Sequence, residues 1–139
     1  MRQGLKLSSL VGLVLLIAFP APSRPHKVRR LATGNWGGLH VRIEVGPRSA
    51  TVEYDCAHGM IDGPLTLDSK GRFRWRGTHN LEHGGPVRID DTSNGRPAIY
   101  SGIVKGDTMK LTVRLATSNE AIGTFTLTRG SPGQVFKCM

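Results

Sequence analysis

Apolar and polar residues alternate with a period of two through most of the chain beyond residue 38. The clearest case is Met109, Leu111, Val113 and Leu115, which are separated by Lys110, Thr112 and Arg114. The same alternation occurs over residues 39–45, 50–56 and 123–128. Because successive side chains of a strand point to opposite faces, this pattern predicts strands with one apolar face. No helical period follows the first 23 residues, so we expect an all-β fold.

Several shorter segments are further strand candidates. They are Leu65 with Leu67, residues 72–77, Val87 with Ile89, residues 98–104 and the terminal QVFKC. Residues 98–104 are apolar at both odd and even positions, so the pattern does not predict which face of this strand is buried. Gly, Pro and Asn turn signals separate the segments and predict a meander. An antiparallel up-and-down barrel of about eight strands removes the unpaired edges, and a two-sheet β-sandwich is the alternative.

The stretch GRFRWRG places aromatic and basic residues on different faces of one strand. Period two sends Phe73 and Trp75 to one side and the arginines to the other. We expect the aromatic rings in the core and an outward arginine stripe, balanced by acidic residues of adjoining strands or by an anion. This separation disfavours a stacking platform for nucleic acid, and no nucleic-acid partner is expected.

The N-terminal region predicts export. Arg2 and Lys6 precede an apolar run over 7–19 and then small residues and prolines, which is typical of a secretory signal peptide over 1–23. The run is too short for a transmembrane anchor. We therefore expect a periplasmic or secreted protein with a basic arm over 24–33 and a single domain over 34–139.

Basic charge is concentrated at the N-terminus. The net charge is +9, and six of the 19 Lys and Arg residues lie within the first 30 positions. All 10 Asp and Glu residues lie beyond them. The high isoelectric point thus belongs largely to the leader and the arm, which is expected to be a solvated tail.

Cys56 and Cys138 are the only cysteines. In an oxidising compartment, a single pair predicts a disulfide. A disulfide removes the reduced thiolate that a catalytic cysteine or a Cys56 metal ligand would require.

The segment GNWGG, residues 34–38, resembles the Gly-x-Trp opening of lipocalins and other calycin barrels. The resemblance implies that Trp36 closes one barrel end beneath an arginine, for which Arg129 is the matching position. GNWGG, YDCAHGMIDGPLTLD, GRFRWRGTHNLEHGGP, PAIYSG, KGDTMKLTV and IGTFTLTRG, in this order, resemble a group of small exported bacterial proteins. That resemblance implies bacterial origin, export and a compact β fold, and no particular reaction.

Residues 79–83 match the HxxEH motif of inverted zinc proteases. The motif requires a helix, and a predicted strand before it and GGP after it leave no room for one. A metal site built from the loop is a weaker alternative, with His58, His79, Glu82 and His83 as its candidate ligands. No Gly-x-Ser-x-Gly elbow and no phosphate-binding glycine loop occurs in the sequence. We therefore expect no enzymatic activity and no cofactor.

The leading functional hypothesis is a non-catalytic barrel that binds a small apolar or amphipathic ligand. The candidate ligand-binding residues are Trp36, Tyr54, Phe73, Trp75, Tyr100 and Phe125. An eight-stranded interior is just wide enough for a ligand or for a core filled by these rings.

Two other functions remain open. One is an envelope or extracellular interaction factor, because small calycin-type inhibitors of secreted metalloproteases resemble the expected fold; this basic, proline-containing arm differs from the small neutral N-terminus of that group. The other is a metal-dependent enzyme around His79 and His83. The sequence does not indicate an oligomeric state.

Overall fold

The computed structural model describes residues 4, 15–25, 27–82, 85 and 95–138. These residues contain ten β-strands, of which eight form a closed barrel and two form a separate ribbon. The strands are β1 Arg29–Arg30, β2 Gly34–Gly38, β3 Val41–Val45, β4 Ala50–Tyr54, β5 Ala57–Ile61, β6 Thr66–Leu67, β7 Arg72–Leu81, β8 Arg96–Lys105, β9 Thr108–Leu115 and β10 Ala121–Arg129. No helix in this part of the chain is long and apolar enough to span a membrane.

The barrel strands follow the order β2-β3-β4-β5-β7-β8-β9-β10, and β10 closes the barrel by pairing with β2. Every neighbouring pair is antiparallel. Consecutive barrel strands are neighbours throughout, with β6 set outside the wall. The predicted eight-stranded up-and-down barrel is therefore confirmed, and the sandwich alternative is wrong.

Inward-facing residues fill the interior as period two predicts. Met109, Leu111 and Val113 are fully buried, and the residues between them lie on the outer side of β9. The ambiguous segment 98–104 buries Ala98 and Tyr100 on the same face. In β7, Phe73 and Trp75 are buried whereas the three arginines are exposed, as expected.

The strand boundaries differ from the predicted ones near residue 40. Leu39 does not begin the strand that contains Val41; it lies with His40 in the turn between β2 and β3, and it is 58% exposed. Strand β5 is missing from the sequence prediction, because its inward positions include Ala57 and Gly59, whose small side chains give little apolar signal. Gly59 is required there, since a Cβ atom would lie 2.2 Å from the Tyr100 hydroxyl oxygen.

Two other predicted strands are not part of the barrel wall. Thr66–Leu67 pairs only with β1 and forms the separate ribbon. The terminal QVFKC forms no strand and makes one isolated bridge, between Gln134 and Leu39. The predicted strand at Val87 and Ile89 lies outside the described residues.

One end of the barrel, the closed end, is covered by the β1-β6 ribbon and Leu31, so residues 29–31 of the arm are paired or packed and are not the solvated tail that the sequence predicts. Leu31, Leu65 and Leu67 are buried there, and the Leu31 N–H donates to the Leu65 carbonyl at 2.8 Å. Trp75 Nε1 donates to the Thr66 carbonyl at 2.9 Å. Trp36 faces this end, and its cross-strand partner is Arg129. The opposite end, the open end, is bordered by the β2-β3, β4-β5 and β9-β10 turns.

The C-terminal residues 130–138, here called the tail, run along β2 from the closed end to the open end. Gln134 accepts a hydrogen bond from the His40 N–H at 2.7 Å, and its own N–H donates to the Gly38 carbonyl at 2.9 Å. The Phe136 N–H donates to Asp55 Oδ1 at 2.7 Å. The tail ends in the predicted disulfide between Cys56 and Cys138, which is thus confirmed.

We expect loss of this disulfide to lower the free energy of unfolding substantially, although the tail that it holds is short. The cross-link joins residues separated by 82 positions, and closing a loop of this size constrains the unfolded chain by about 4–5 kcal/mol. The double variant Cys56→Ser/Cys138→Ser should lose this amount in urea unfolding while its β-sheet circular dichroism is retained. Reduced wild type is the control and should match the variant; equal stability of oxidised wild type and variant would contradict the account.

Candidate ligand-binding site at the open end of the barrel

A cavity of about 360 Å³ lies at the open end of the barrel. Its apolar lining consists of Ala57, Leu81, Ala121, Ile122 and Phe125. Its polar lining consists of His40, Tyr54, Asp55, His79 and Glu120. We refer to this space as the open-end cavity. Its size is within the usual range for sites that hold small organic molecules.

The strand register brings the cavity residues together. Tyr54 is the last residue of β4 and pairs with Ala57, the first of β5. His79 has the same parity in β7 as Phe73 and Trp75, so it points inward, and it pairs across with Gly59. Because Gly59 has no side chain, the position opposite His79 is taken by the Tyr100 hydroxyl, and a Cβ there would lie 2.2 Å from it.

Tyr54 and His79 are buried polar side chains without a protein partner. They are 3% and 2% exposed, and their ring centroids are 5.4 Å apart. Neither the Tyr54 hydroxyl nor either ring nitrogen of His79 has a hydrogen-bond partner among the described residues. Such groups normally find partners when buried, and leaving one unpaired costs about 1–3 kcal/mol. A ligand in the cavity would supply what the fold does not.

Both side chains are held in their neutral forms. Burial lowers the pKa of His79 most, the nearby Arg96 and His58 lower it further, and Glu120 opposes this. Burial, followed by the neighbouring Tyr100, raises the pKa of Tyr54. A neutral imidazole offers one donor and one acceptor, and a phenol offers both functions in one hydroxyl. The cavity therefore presents uncharged hydrogen-bonding groups to its occupant.

Tyr100 shows how a buried tyrosine is accommodated elsewhere in the same barrel. It is fully buried, and its hydroxyl donates to the Thr78 carbonyl at 2.6 Å. Burial raises its pKa to about 12. The Tyr100 hydroxyl is thus satisfied within the core, whereas that of Tyr54 makes no hydrogen bond of normal geometry among the described residues, although it lies near enough to the Tyr100 hydroxyl for that group to raise its pKa.

The structure divides the six predicted ligand-binding aromatic residues between two regions. Only Tyr54 and Phe125 line the open-end cavity, with ring centroids 5.7 Å apart. Phe73 stacks on Trp75 with centroids 3.8 Å apart. These two rings, together with Trp36 and Tyr100, belong to the packed core.

Sequence reasoning missed Leu81, Glu120 and Ile122 as cavity residues, and it assigned His79 only to a metal or protease motif. The period-two pattern of β7 extends to His79, and this signal was sufficient to place the imidazole inside. Closure of the barrel brings Glu120 and Ile122 close to β7. The local sequence does not predict which strands closure will bring together.

The predicted metal ligands do not share one side of the barrel wall. His58 points outward, where its Nδ1 lies 2.9 Å from Glu82 Oε1, whereas His79 points inward. Lys137 Nζ also contacts Glu82, at 3.1 Å. His83 lies outside the described residues. Among the residues that the structure describes, no three His, Cys, Asp or Glu side chains are grouped to hold a metal ion.

The tail fixes part of the cavity rim. Asp55 accepts the Phe136 N–H and also contacts His40 Nδ1. These hydrogen bonds lower the pKa of Asp55, with that of Phe136 contributing most. The His40 ring lies 5.7 Å from the Phe136 ring. A carboxylate thus stands at the rim with its position set by the tail.

No known protein family, curated protein or solved structure matches this chain. The functional assignment therefore depends on the geometry of the site.

We expect the two buried tyrosines to respond oppositely to removal of the hydroxyl. Tyr100→Phe should lower the free energy of unfolding by about 1 kcal/mol, because it removes a made hydrogen bond. Tyr54→Phe should be neutral or stabilising, because it removes a buried group without a partner. Urea unfolding of both variants tests this; an equal loss in the two would show that Tyr54 is satisfied in the free protein.

His79 should make the protein sensitive to mild acid. Because its folded-state pKa lies below the ordinary value of 6.5, the unfolded chain binds the proton more readily, and stability falls as the pH drops below 6.5. His79→Gln should abolish this loss of stability below pH 6.5. It should leave the further loss of stability at lower pH, where Asp55 and Asp68 become protonated. Unfolding of both proteins across this range provides the measurement, and identical profiles would contradict the assignment.

Proposed function

We propose that the protein binds a small uncharged amphipathic molecule in the open-end cavity and does not convert it. The observation that carries this proposal is the pair of buried, neutral and unpartnered side chains, Tyr54 and His79, at the cavity. A site that leaves polar groups unpaired in the free protein gains affinity from any ligand that pairs them.

The lining suggests the shape of the ligand. Its polar end, a hydroxyl or a carbonyl, would meet Tyr54 and His79, and its apolar body would lie against Phe125, Ile122 and Leu81. Asp55 and Glu120 at the cavity disfavour an anionic ligand through charge repulsion. The ligand class is therefore an aromatic or short aliphatic alcohol, phenol or ketone.

Binding is favoured over catalysis by the state of the polar pair. General acid–base work requires a group that exchanges a proton within reach of its partner near the operating pH. Burial raises the pKa of Tyr54 well above neutral pH, and neither Tyr54 nor His79 has a hydrogen-bonded partner among the described residues that could relay a proton. The two groups are suited to recognise a ligand.

We also place the protein in the periplasm or outside the cell, after removal of residues 1–23. The disulfide supports an oxidising compartment. The apolar side chains of Leu15, Leu16, Ile17 and Phe19 are exposed rather than packed in the barrel, as suits a leader that is removed. The pairing of Trp36 with Arg129 across the closing strands supports a calycin-like barrel.

Three probes with one shared ring system test the ligand class by calorimetry. We expect 2-naphthol to bind about fivefold more tightly than naphthalene, the equivalent of one hydrogen bond of roughly 1 kcal/mol. The anion 2-naphthoate should bind more weakly than either, because it would bring a charge beside Asp55 and Glu120.

The variants identify the site. Tyr54→Phe/His79→Phe should abolish the preference for 2-naphthol over naphthalene, since both hydrogen-bonding partners are gone. Tyr100→Phe is the matched control, because its hydroxyl is bonded to Thr78, and should retain the preference. An unchanged preference in the double variant, or no binding of any probe to wild type, would refute the proposal.

A further inference from the structure

The outer wall formed by β7, β8, β9 and β10 is basic throughout. These four adjacent strands contain eight Lys and Arg residues and no Asp or Glu. The strands β2 to β5 contain Arg42, Glu44 and Glu53 instead. Among the residues of the barrel strands, positive charge is thus concentrated on β7 to β10, whose outer surface we call the basic face.

Cations and isoleucines are arranged in rows across the basic face. Strand register places Ile103 between Arg72 and Lys110. In the next row, Arg74 of β7 lies opposite Ser101 of β8, and Ser101 lies opposite Thr112 of β9. In the next such row, Ile99 lies between Arg76 and Arg114. All these cations are exposed and both isoleucines are partly exposed, so each apolar side chain is flanked by two positive charges.

Among the described residues, four of these five cations form no ion pair with a carboxylate. Arg72 pairs with Asp68 at 3.0 Å, and Arg114 donates to the Asn119 carbonyl at 3.1 Å. Within the described ranges, Arg74, Arg76 and Lys110 form no ion pair. Among the residues that the structure describes, Arg72 is the one member of the arginine stripe with the expected acidic neighbour.

Asp62 is near Arg76 in the fold without balancing its charge. The Asp62 N–H donates to the Arg76 carbonyl at 2.9 Å, and the two side chains form no ion pair among the described residues. Like charges held close together on one surface repel each other unless an anion lies between them. The basic face is consequently complementary to a negatively charged partner.

We propose that the basic face docks on an anionic lipid bilayer. The cations are spread in two dimensions, along β7 and across to β9. An anionic bilayer also presents its negative headgroups in two dimensions. The flanked isoleucines match the boundary between headgroups and acyl chains, where apolar and cationic side chains are favourable together. The aromatic residues of β7 point inward, so the face offers no platform for stacking bases.

The ribbon extends this surface at the closed end. Arg29 and Arg30 of β1 are exposed and pair with β6, which contacts β7. Arg29 and Arg30 line one depression together with Arg129, so the arm adds two cations beside the end of β10. The open-end cavity lies at the other end of the barrel, so the inference is independent of ligand binding.

Vesicle sedimentation of the full chain tests the inference. Vesicles of phosphatidylcholine are compared with vesicles that also contain phosphatidylglycerol, at low and at physiological ionic strength. We expect stronger binding to the anionic vesicles, weakened by salt. Each removed charge should weaken it about fivefold, so Arg74→Gln/Arg76→Gln/Lys110→Gln should bind roughly 100-fold more weakly.

A second triple variant controls for net charge. Arg42→Gln/Arg48→Gln/Lys137→Gln removes three cations that lie outside the basic face, and we expect it to lose much less affinity than the first variant. The N-terminal apolar run and its flanking Arg2 and Lys6 are the same in all proteins, so their contribution cancels when variants are compared on the same vesicles. Ile99→Ser/Ile103→Ser should weaken anionic-vesicle binding with no change in its salt dependence.

Three results would overturn the inference. The first is equal loss of affinity in the two triple variants, which would indicate a general charge effect. The second is equal binding to neutral and anionic vesicles by all proteins. The third is binding of double-stranded DNA or heparin that depends on Arg74, Arg76 and Lys110 while anionic vesicles are not bound, which would assign the face to an acidic polymer.

Discussion

The seam between the first and last barrel strands is the constraint on which the rest of the structure depends. Strand β10 pairs with β2 through Thr128 with Gly37 and Arg129 with Trp36, and this pairing closes the sheet. The two glycines that follow Trp36 make the closure possible. A Cβ on Gly38 would lie 2.0 Å from the Thr126 carbonyl oxygen, and one on Gly37 would lie 2.2 Å from the Gly133 nitrogen. The seam thus also creates the path that leads the tail to Cys56.

Closure makes the two ends of the barrel different. At the closed end, the ribbon and Leu31 cover the core and Trp75 finds a backbone partner, while Trp36 Nε1 has none among the described residues. At the open end, the turns and the tail leave a cavity beside Tyr54 and His79, whose polar atoms the described protein does not satisfy. A packed core fixes the strands rigidly, and the unpaired groups at its open end weaken stability in the free state. Proteins commonly retain such a loss of stability at sites that recognise a ligand.

Period-two patterning predicted the barrel, the buried face of β7 and β9, and the outward arginines, because those strands bury one face against a large apolar core. It failed for β5, where Ala57 and Gly59 give little apolar signal and a side chain at Gly59 would meet the Tyr100 hydroxyl, and for Leu39, which lies exposed in the β2-β3 turn. The disulfide was predictable because the chain has one cysteine pair. The cavity was not, because its lining comes from strands far apart in sequence and depends on the shear of the closed sheet.

Native mass spectrometry of the protein purified from the organism that makes it tests the central claim most directly. We expect wild type to retain a discrete small organic molecule that denaturation releases, and Tyr54→Phe/His79→Phe, made in the same host, to carry none. Wild type that repeatedly carries no added mass, or an adduct held equally by the double variant, would contradict the account.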